Sequence, residues 1–189
     1  MRNCNFVHAN PDQFEAENNQ QFRSKMVHNR SNTMLNRIVR QSRRRRMFAR
    51  FTRKPLSLFS LSTMLQSEEL TNMVEIGIHS IPLQLVIGSE SRCFDFDDQF
   101  VPKSEKDYHR WLRISDLFIS EATIPAVELI QVDKFFFVRD GHHRVSVAKA
   151  LKRAFIDANI KVMQVKNKTL QDFKCCSEYM DLEPVRQFN

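Results

Sequence analysis

The spacing of hydrophobic residues divides the chain into two parts. From residue 21 to residue 53, apolar residues recur every three or four positions, and this stretch holds no Asp, Glu, Gly or Pro. That pattern predicts one or two helices. The preceding residues, 1–20, are rich in Asn and Gln, which predicts an N-terminal segment that is flexible or only marginally structured. The Lys54-Pro55 pair predicts a break, because a residue before proline avoids the helical region. Residues 56–66 predict a short amphipathic helix.

After Met73 the hydrophobic period changes from that of a helix to that of a strand. Alternation predicts a strand at residues 73–78, and an aromatic, β-branched run predicts one at 135–139. Residues 83–87, 127–132 and 158–165 also predict strands, with a tight Asp133-Lys134 turn between 127–132 and 135–139. Residues 104–121 predict a helix, and the tail from residue 168 predicts another short one. The expected fold is therefore α+β, with four or five strands in a domain at residues 69–189. A mainly helical region at residues 1–68 precedes it.

Charge is distributed unevenly between these parts. Residues 1–54 carry a net charge of +10, whereas residues 55–189 carry −3. A localised basic segment indicates a polyanionic partner, and arginine suits phosphate contacts because it binds them bidentately. We predict DNA binding without strong sequence preference. A solvated charged surface and a docking surface for an acidic protein are the alternatives. The arginines concerned are Arg37, Arg40, Arg43, Arg44, Arg45, Arg46, Arg50 and Arg53.

Several classes of protein are disfavoured by the composition. No apolar run reaches the roughly 18 residues of a membrane-spanning helix, and the polar N-terminus lacks the apolar core of a signal peptide. The sequence therefore predicts a cytoplasmic protein without a membrane span. The four cysteines show no Cys-x-x-Cys spacing, which predicts reduced thiols rather than a metal or redox site.

The strongest chemical signal follows the predicted strand at residues 135–139. Arg139 and Asp140 precede Gly141, and His142, His143 and Arg144 open the next predicted helix. A helix start offers unpaired N–H groups to an anion, and glycine lets a ligand oxygen approach the backbone. This arrangement predicts a phosphate site. Asp140 could instead serve only as a helix cap.

Two further positions are weaker candidates. Gly88 and Ser89 follow a predicted strand and supply a second glycine and a hydroxyl, although a plain surface turn is an equal alternative. Glu128 lies in a predicted strand where alternation would point it to solvent. A carboxylate beside bound phosphates can hold Mg²⁺, which takes one or two carboxylates together with phosphate oxygens.

The run Asp140-Gly141-His142-His143-Arg144, placed between a strand and a helix, resembles the nucleotide-binding motif of the ParB/sulfiredoxin superfamily. Residues 125–129 and 148–151 resemble that family too, and the similarity covers residues 83–165. The resemblance implies a ParB/sulfiredoxin-like mixed sheet with flanking helices. It implies ATP bound by residues 139–144 with Gly88 and Ser89, and a divalent cation such as Mg²⁺ on Asp140 or Glu128.

The resemblance also implies activities. Sulfinic acid reduction is excluded because His142 stands where sulfiredoxins need a cysteine, and a serine kinase is disfavoured by the large basic extension. ATP hydrolysis with DNA cleavage fits better. Arg139, Arg144 and the helix N–H groups would neutralise phosphate charge, and His142 or His143 would activate water. Asp140 and Glu128 are the other candidate catalytic residues.

The chain is also similar to plasmid-encoded fertility-inhibition proteins, on its size, its basic N-terminal region and this motif. That similarity implies inhibition of conjugative plasmid or T-DNA transfer, with a component of a conjugation or type IV secretion apparatus as a partner. Two alternatives stay open. One is a nucleotide- and DNA-binding module without catalysis. The other is a protein–protein inhibitor of the transfer apparatus with a vestigial site.

Overall fold

The computed structural model describes residues 11–52, 56–65 and 70–165, which form one mixed β-sheet with helices packed against it. The prediction of an α+β protein with a basic N-terminal helix is confirmed. Arg53, the Lys54-Pro55 pair and the tail beyond residue 165 lie outside the described residues. The elements are α1 (Pro11–Thr52), β1 (Phe59–Ser60), α2 (Leu61–Met64), β2 (Leu70–Pro82), β3 (Val86–Ser89), α3 (Tyr108–Ile119), β4 (Val127–Val132), β5 (Phe135–Asp140), α4 (His142–Ala150) and β6 (Phe155–Val165).

The sheet has six strands in the order β1-β3-β5-β4-β6-β2. Strands β1, β3 and β5 run parallel to one another, β4 is antiparallel to β5 and parallel to β6, and β2 is antiparallel to β6. The tight turn between β4 and β5 is present, with Asp133 in the left-handed region at φ 53°. The prediction for residues 83–87 was partly wrong. Leu83–Leu85 forms a 3-10 turn, and β3 begins only at Val86.

The predicted amphipathic helix at residues 56–66 is wrong over most of its length. Phe59 and Ser60 instead form β1, paired with Gly88 and Ser89 of β3, and α2 is only four residues long. Leu58 and Leu61 are buried in different clusters of the core. A Cβ on Gly88 would lie 2.5 Å from the Phe59 carbonyl oxygen and 2.5 Å from the Phe137 ring. Close backbone pairing at Gly88 therefore overrides the helical pattern of the segment.

Helix α1 is a single helix of 42 residues that begins at Pro11, so residues 11–20 belong to it rather than to a marginal start. Its residues Leu35 and Val39 pack with Trp111 of α3 and Val147 of α4. The buried Trp111 indole donates a hydrogen bond to Ser146 Oγ at 2.8 Å, which joins α3 to α4. None of the helices in the described part of the chain is both long and apolar enough to cross a bilayer.

Candidate phosphate site and basic surfaces

The turn from β5 into α4 depends on Gly141. Its φ of +94° lies in the left-handed region, and an added Cβ would stand 2.6 Å from Val127 Cγ1 and 3.0 Å from Arg144 Nε. The first bond of α4 runs from the Val145 N–H to the Gly141 carbonyl oxygen. The N–H groups of residues 142–144 therefore precede the intrahelical ladder and are available to an anion.

The Arg144 side chain is engaged by the fold itself. Its guanidinium donates to the carbonyl oxygens of Pro125 and Ala126 at 2.8 and 2.7 Å and to Asp140 Oδ2 at 2.5 Å. Only 17% of the side chain is exposed, whereas Asp140 is 61% exposed. Arg144 thus connects the start of α4 to the segment before β4. The sequence instead predicts that this side chain contacts the phosphates.

His142 is buried and neutral. Ser89 Oγ accepts hydrogen bonds from the N–H groups of Ser91 and Arg92 at 3.3 and 2.8 Å. Both lone pairs are then used, so the hydroxyl donates its hydrogen to His142 Nε2, 2.7 Å away. Burial, reinforced by the positive charge of Arg92, lowers the pKa of His142 to about 4. The ring also stacks on Phe96, with centroids 5.8 Å apart. His142 therefore links the end of β3 to the start of α4 from a buried position.

His143 is buried beside His142, and its ring meets the edge of Phe96 at 5.3 Å between centroids. Its Nε2 lies 3.2 Å from Asp107 Oδ1, whereas its Nδ1 has no hydrogen-bond partner in the described residues. Burial lowers the pKa of His143, and Asp107 opposes that shift. The site thus holds a buried imidazole that faces the Asp107 carboxylate through Nε2.

Two carboxylates reach the surface near the turn. Glu128 of β4 is exposed, as alternation predicted, and it lies opposite Asp140 in the register of β4 and β5. Among the described residues, no group of three or more His, Cys, Asp or Glu side chains is placed to hold a metal ion. Arg139 is also exposed, with its Nε 3.6 Å from Glu90 Oε2.

Gly88 and Ser89 are enclosed by the sheet instead of lining a turn. The space beside Gly88 is filled by Phe59 and Phe137, and Ser89 is fully buried. Sequence reasoning grouped both with the nucleotide site. The structure brings Ser89 to His142 but gives neither residue an open surface.

The predicted DNA-binding arginines of α1 fall into different environments. Arg45 is half-buried and bound to Asp97 at 2.7 Å and Asp98 at 2.9 Å. Arg46 is partly buried, and Arg43 stands 3.4 Å from Glu105. The remaining described members of the set are exposed: Arg37, Arg40, Arg44 and Arg50.

Sequence reasoning missed the acidic loop after β3 as a partner for these cations. Asp97 is fully buried, and it accepts from the N–H groups of Gln99 and Val101 as well as from Arg45. Arg92 donates to Asp95 at 2.6 Å, and its guanidinium lies over the Phe96 ring. The opposite net charges of the two parts of the sequence were the available signal.

Comparison with known proteins identifies no relative: no family model, curated protein or solved structure matches the chain.

Proposed function

We propose that the protein binds the phosphates of ATP at the turn between β5 and α4, hydrolyses the nucleotide there, and binds and cleaves DNA. The proposal includes a ParB/sulfiredoxin-like fold and a role in inhibiting conjugative plasmid or T-DNA transfer, both from the sequence resemblance. The observation that carries it is the helix start at Gly141, where the first intrahelical bond runs from the Val145 N–H to the Gly141 carbonyl oxygen and leaves the N–H groups of residues 142–144 outside the ladder. Such a turn favours anions.

The role that each residue of the turn has in this proposal follows from the solvent exposure of its side chain. Arg139 and the N–H groups of residues 142–144 would bind the phosphates. Asp140 and Glu128, both at the surface, would hold Mg²⁺, which neutralises phosphate charge when bound. An exposed carboxylate would also be the base that activates water. His142 and His143 are buried, so their role in the proposal is to position the turn.

A second candidate is a nucleotide- and DNA-binding module, or an inhibitor of the transfer apparatus, without catalysis. It is favoured by the burial of both histidines and by the contacts of Arg144 with backbone carbonyls. These side chains would otherwise be the natural catalytic groups of the motif.

Arg139→Ala tests the first candidate against the second. Arg139 is exposed and its one long ion pair adds little to stability, so the variant should fold. Losing a charge-assisted phosphate contact costs about 1.5–3 kcal/mol, which is about tenfold to a hundredfold in affinity or rate. ATP binding, Mg²⁺-dependent hydrolysis, DNA cleavage and inhibition of transfer should fall together. Arg113→Ala, at an exposed position on α3, is the control.

Three results would change the conclusion. Wild-type protein that binds ATP without hydrolysing it would establish the non-catalytic candidate. If folded Arg139→Ala protein still inhibited transfer fully, inhibition of transfer would not depend on nucleotide binding. Absence of ATP binding at millimolar concentration would reject both nucleotide-based candidates.

DNA binding is tested by its salt dependence. The slope of log affinity against log salt is negative, and each phosphate contact contributes about −0.9 to it. Changing Arg40, Arg43 and Arg50 to Gln should therefore make the slope less negative by about 2 to 3. Changing Arg113, Lys134 and Arg153 to Gln removes the same charge from exposed positions elsewhere and should leave the slope nearly unchanged. If both triple variants changed the slope equally, the arginines of α1 would not be the specific DNA contacts.

A further inference from the structure

We propose that the groove between α1 and α4 is a docking site for an acidic, amphipathic helix of a partner protein. The groove is open, has a volume of about 1230 Å³, and lies along the side of α1 that faces the C-terminal end of α4. It is separate from the turn at Gly141, and the inference does not depend on nucleotide binding.

The charged side chains that line the groove are all positive. Its lining includes six basic side chains and no Asp or Glu among the described residues. Two of the six are held by the fold, because Arg45 binds Asp97 and Asp98 and the Lys149 ammonium donates to the Val86 carbonyl oxygen at 2.8 Å. The other four are Arg30, Arg37, Arg44 and Lys152, and all are exposed.

The spacing of the arginines matches a helical partner. Arg30, Arg37 and Arg44 recur every seven residues, so they form a row along one face of α1. The row spans about 21 Å at 1.5 Å per residue. A partner helix of about four turns laid along the groove would place its acidic side chains beside this row and beside Lys152 on the opposite wall.

The apolar surface of the groove separates a protein partner from DNA. Met34, Ile38 and Leu151 line its floor, while Met26 and Phe48 lie toward its two ends. Met26 is 56% exposed and Phe48 is 65% exposed. The phosphate backbone of a DNA duplex buries little apolar surface on methionine and phenylalanine, whereas an amphipathic helix buries its apolar face in such a groove. Flanking carboxylates on that helix complete the complementarity of charge.

The test uses the full chain and a fluorescein-labelled 15-residue peptide, with Leu at positions i, i+3, i+4 and i+7 and mainly Glu elsewhere. A scrambled peptide of equal composition is the second probe, and affinity is measured by fluorescence anisotropy. The patterned peptide should bind at least tenfold more tightly than the scrambled one. This difference isolates the apolar face, since both peptides carry the same charge.

Matched variants locate the binding surface. The pair Met26→Ser and Phe48→Ser should weaken binding at least tenfold. The pair Met47→Ser and Phe51→Ser changes side chains on the same helix that are at least as exposed but lie outside the groove, and it should change affinity less than twofold. Changing Arg30, Arg37 and Arg44 to Gln should weaken binding more than changing Arg40, Arg43 and Arg50 to Gln.

Three outcomes would overturn the proposal. The first is no binding of the patterned peptide at millimolar concentration. The second is equal binding of the scrambled peptide, or equal displacement by a single-stranded oligonucleotide, either of which would show a site for charge alone. The third is equal loss from the groove and control variants. ATP hydrolysis is measured separately, so its absence would leave this test unaffected.

Discussion

The β5–α4 turn and the groove face of α1 are both rich in cations, but they handle their charge in different ways. At the turn, Arg144 binds carbonyl oxygens and Asp140, and Arg139 lies near Glu90. On α1, the row of Arg30, Arg37 and Arg44 lines a groove that contains no acidic residue in the described chain. The turn therefore offers mainly backbone N–H groups, with the weakly paired Arg139 beside them, whereas the groove offers a row of arginine side chains.

Replacing Gly141 by Ala should give the largest loss of stability. The left-handed conformation costs alanine about 1–2 kcal/mol, and the clash with Val127 adds about 1–3 kcal/mol. Gly77→Ala is the control, since Gly77 has a φ of +85° but nothing within 4 Å of an added Cβ, so only the conformational term applies. Urea unfolding measures both. Equal losses would mean that the turn is no more tightly packed than the exposed strand.

Arg144→Ala should reduce the free energy of unfolding by about 1.5–3 kcal/mol, because it leaves two carbonyl oxygens without a charged donor. Arg37→Ala, on the exposed face of α1, should stay within about 0.5 kcal/mol of wild type. Chemical denaturation of both variants checks this. If Arg144→Ala were as stable as wild type, the Arg144 side chain would not be needed by the fold and would be free to bind a ligand. The contrast between the turn and the groove would then disappear.

Acidification should destabilise the turn through its buried histidines. The pKa of His142 is about 4 in the folded protein and about 6.5 in an unfolded chain, so the unfolded state binds more protons between these values. Stability is complete above pH 6.5 and falls as the pH drops toward 4. From pH 7.5 to pH 5 the loss from His142 is about 2 kcal/mol.

His143 is shifted in the same direction and should add to this loss. The free energy of unfolding, measured in urea at several pH values, should show the decline in wild type and a shallower one in His142→Asn. His109→Asn, at an exposed position on α3, should keep the wild-type profile. An unchanged profile in His142→Asn would show that other groups dominate the acid response.

Features with local causes were predictable from the sequence. Helical spacing identified most of α1, apolar and β-branched runs identified β4 and β5, and the order of strand, glycine and helix identified the turn at Gly141. These depend on residues close together in the chain.

Features with distant causes were not predictable. The pairing of β1 with β3 depends on the missing side chain of Gly88. Arg45 differs from its neighbours only because Asp97, 52 residues away, is packed beside it. The arginines of α1 look alike in the sequence. Only tertiary contacts distinguish those that form ion pairs within the fold, such as Arg45, from those that are exposed, such as Arg44. The carbonyl partners of Arg144 are hidden from sequence for the same reason.

The position of Trp111 makes the junction of the three helices optically visible. It is the single tryptophan of the chain, fully buried among residues of α1, α3 and α4 and bonded to Ser146 Oγ. Its emission therefore reports on helix packing and not on the far edge of the sheet at β2. Detachment of α1 alone would shift the fluorescence to the red while the circular dichroism of the strands persisted. One intrinsic fluorophore can thus distinguish release of the basic helix from global unfolding.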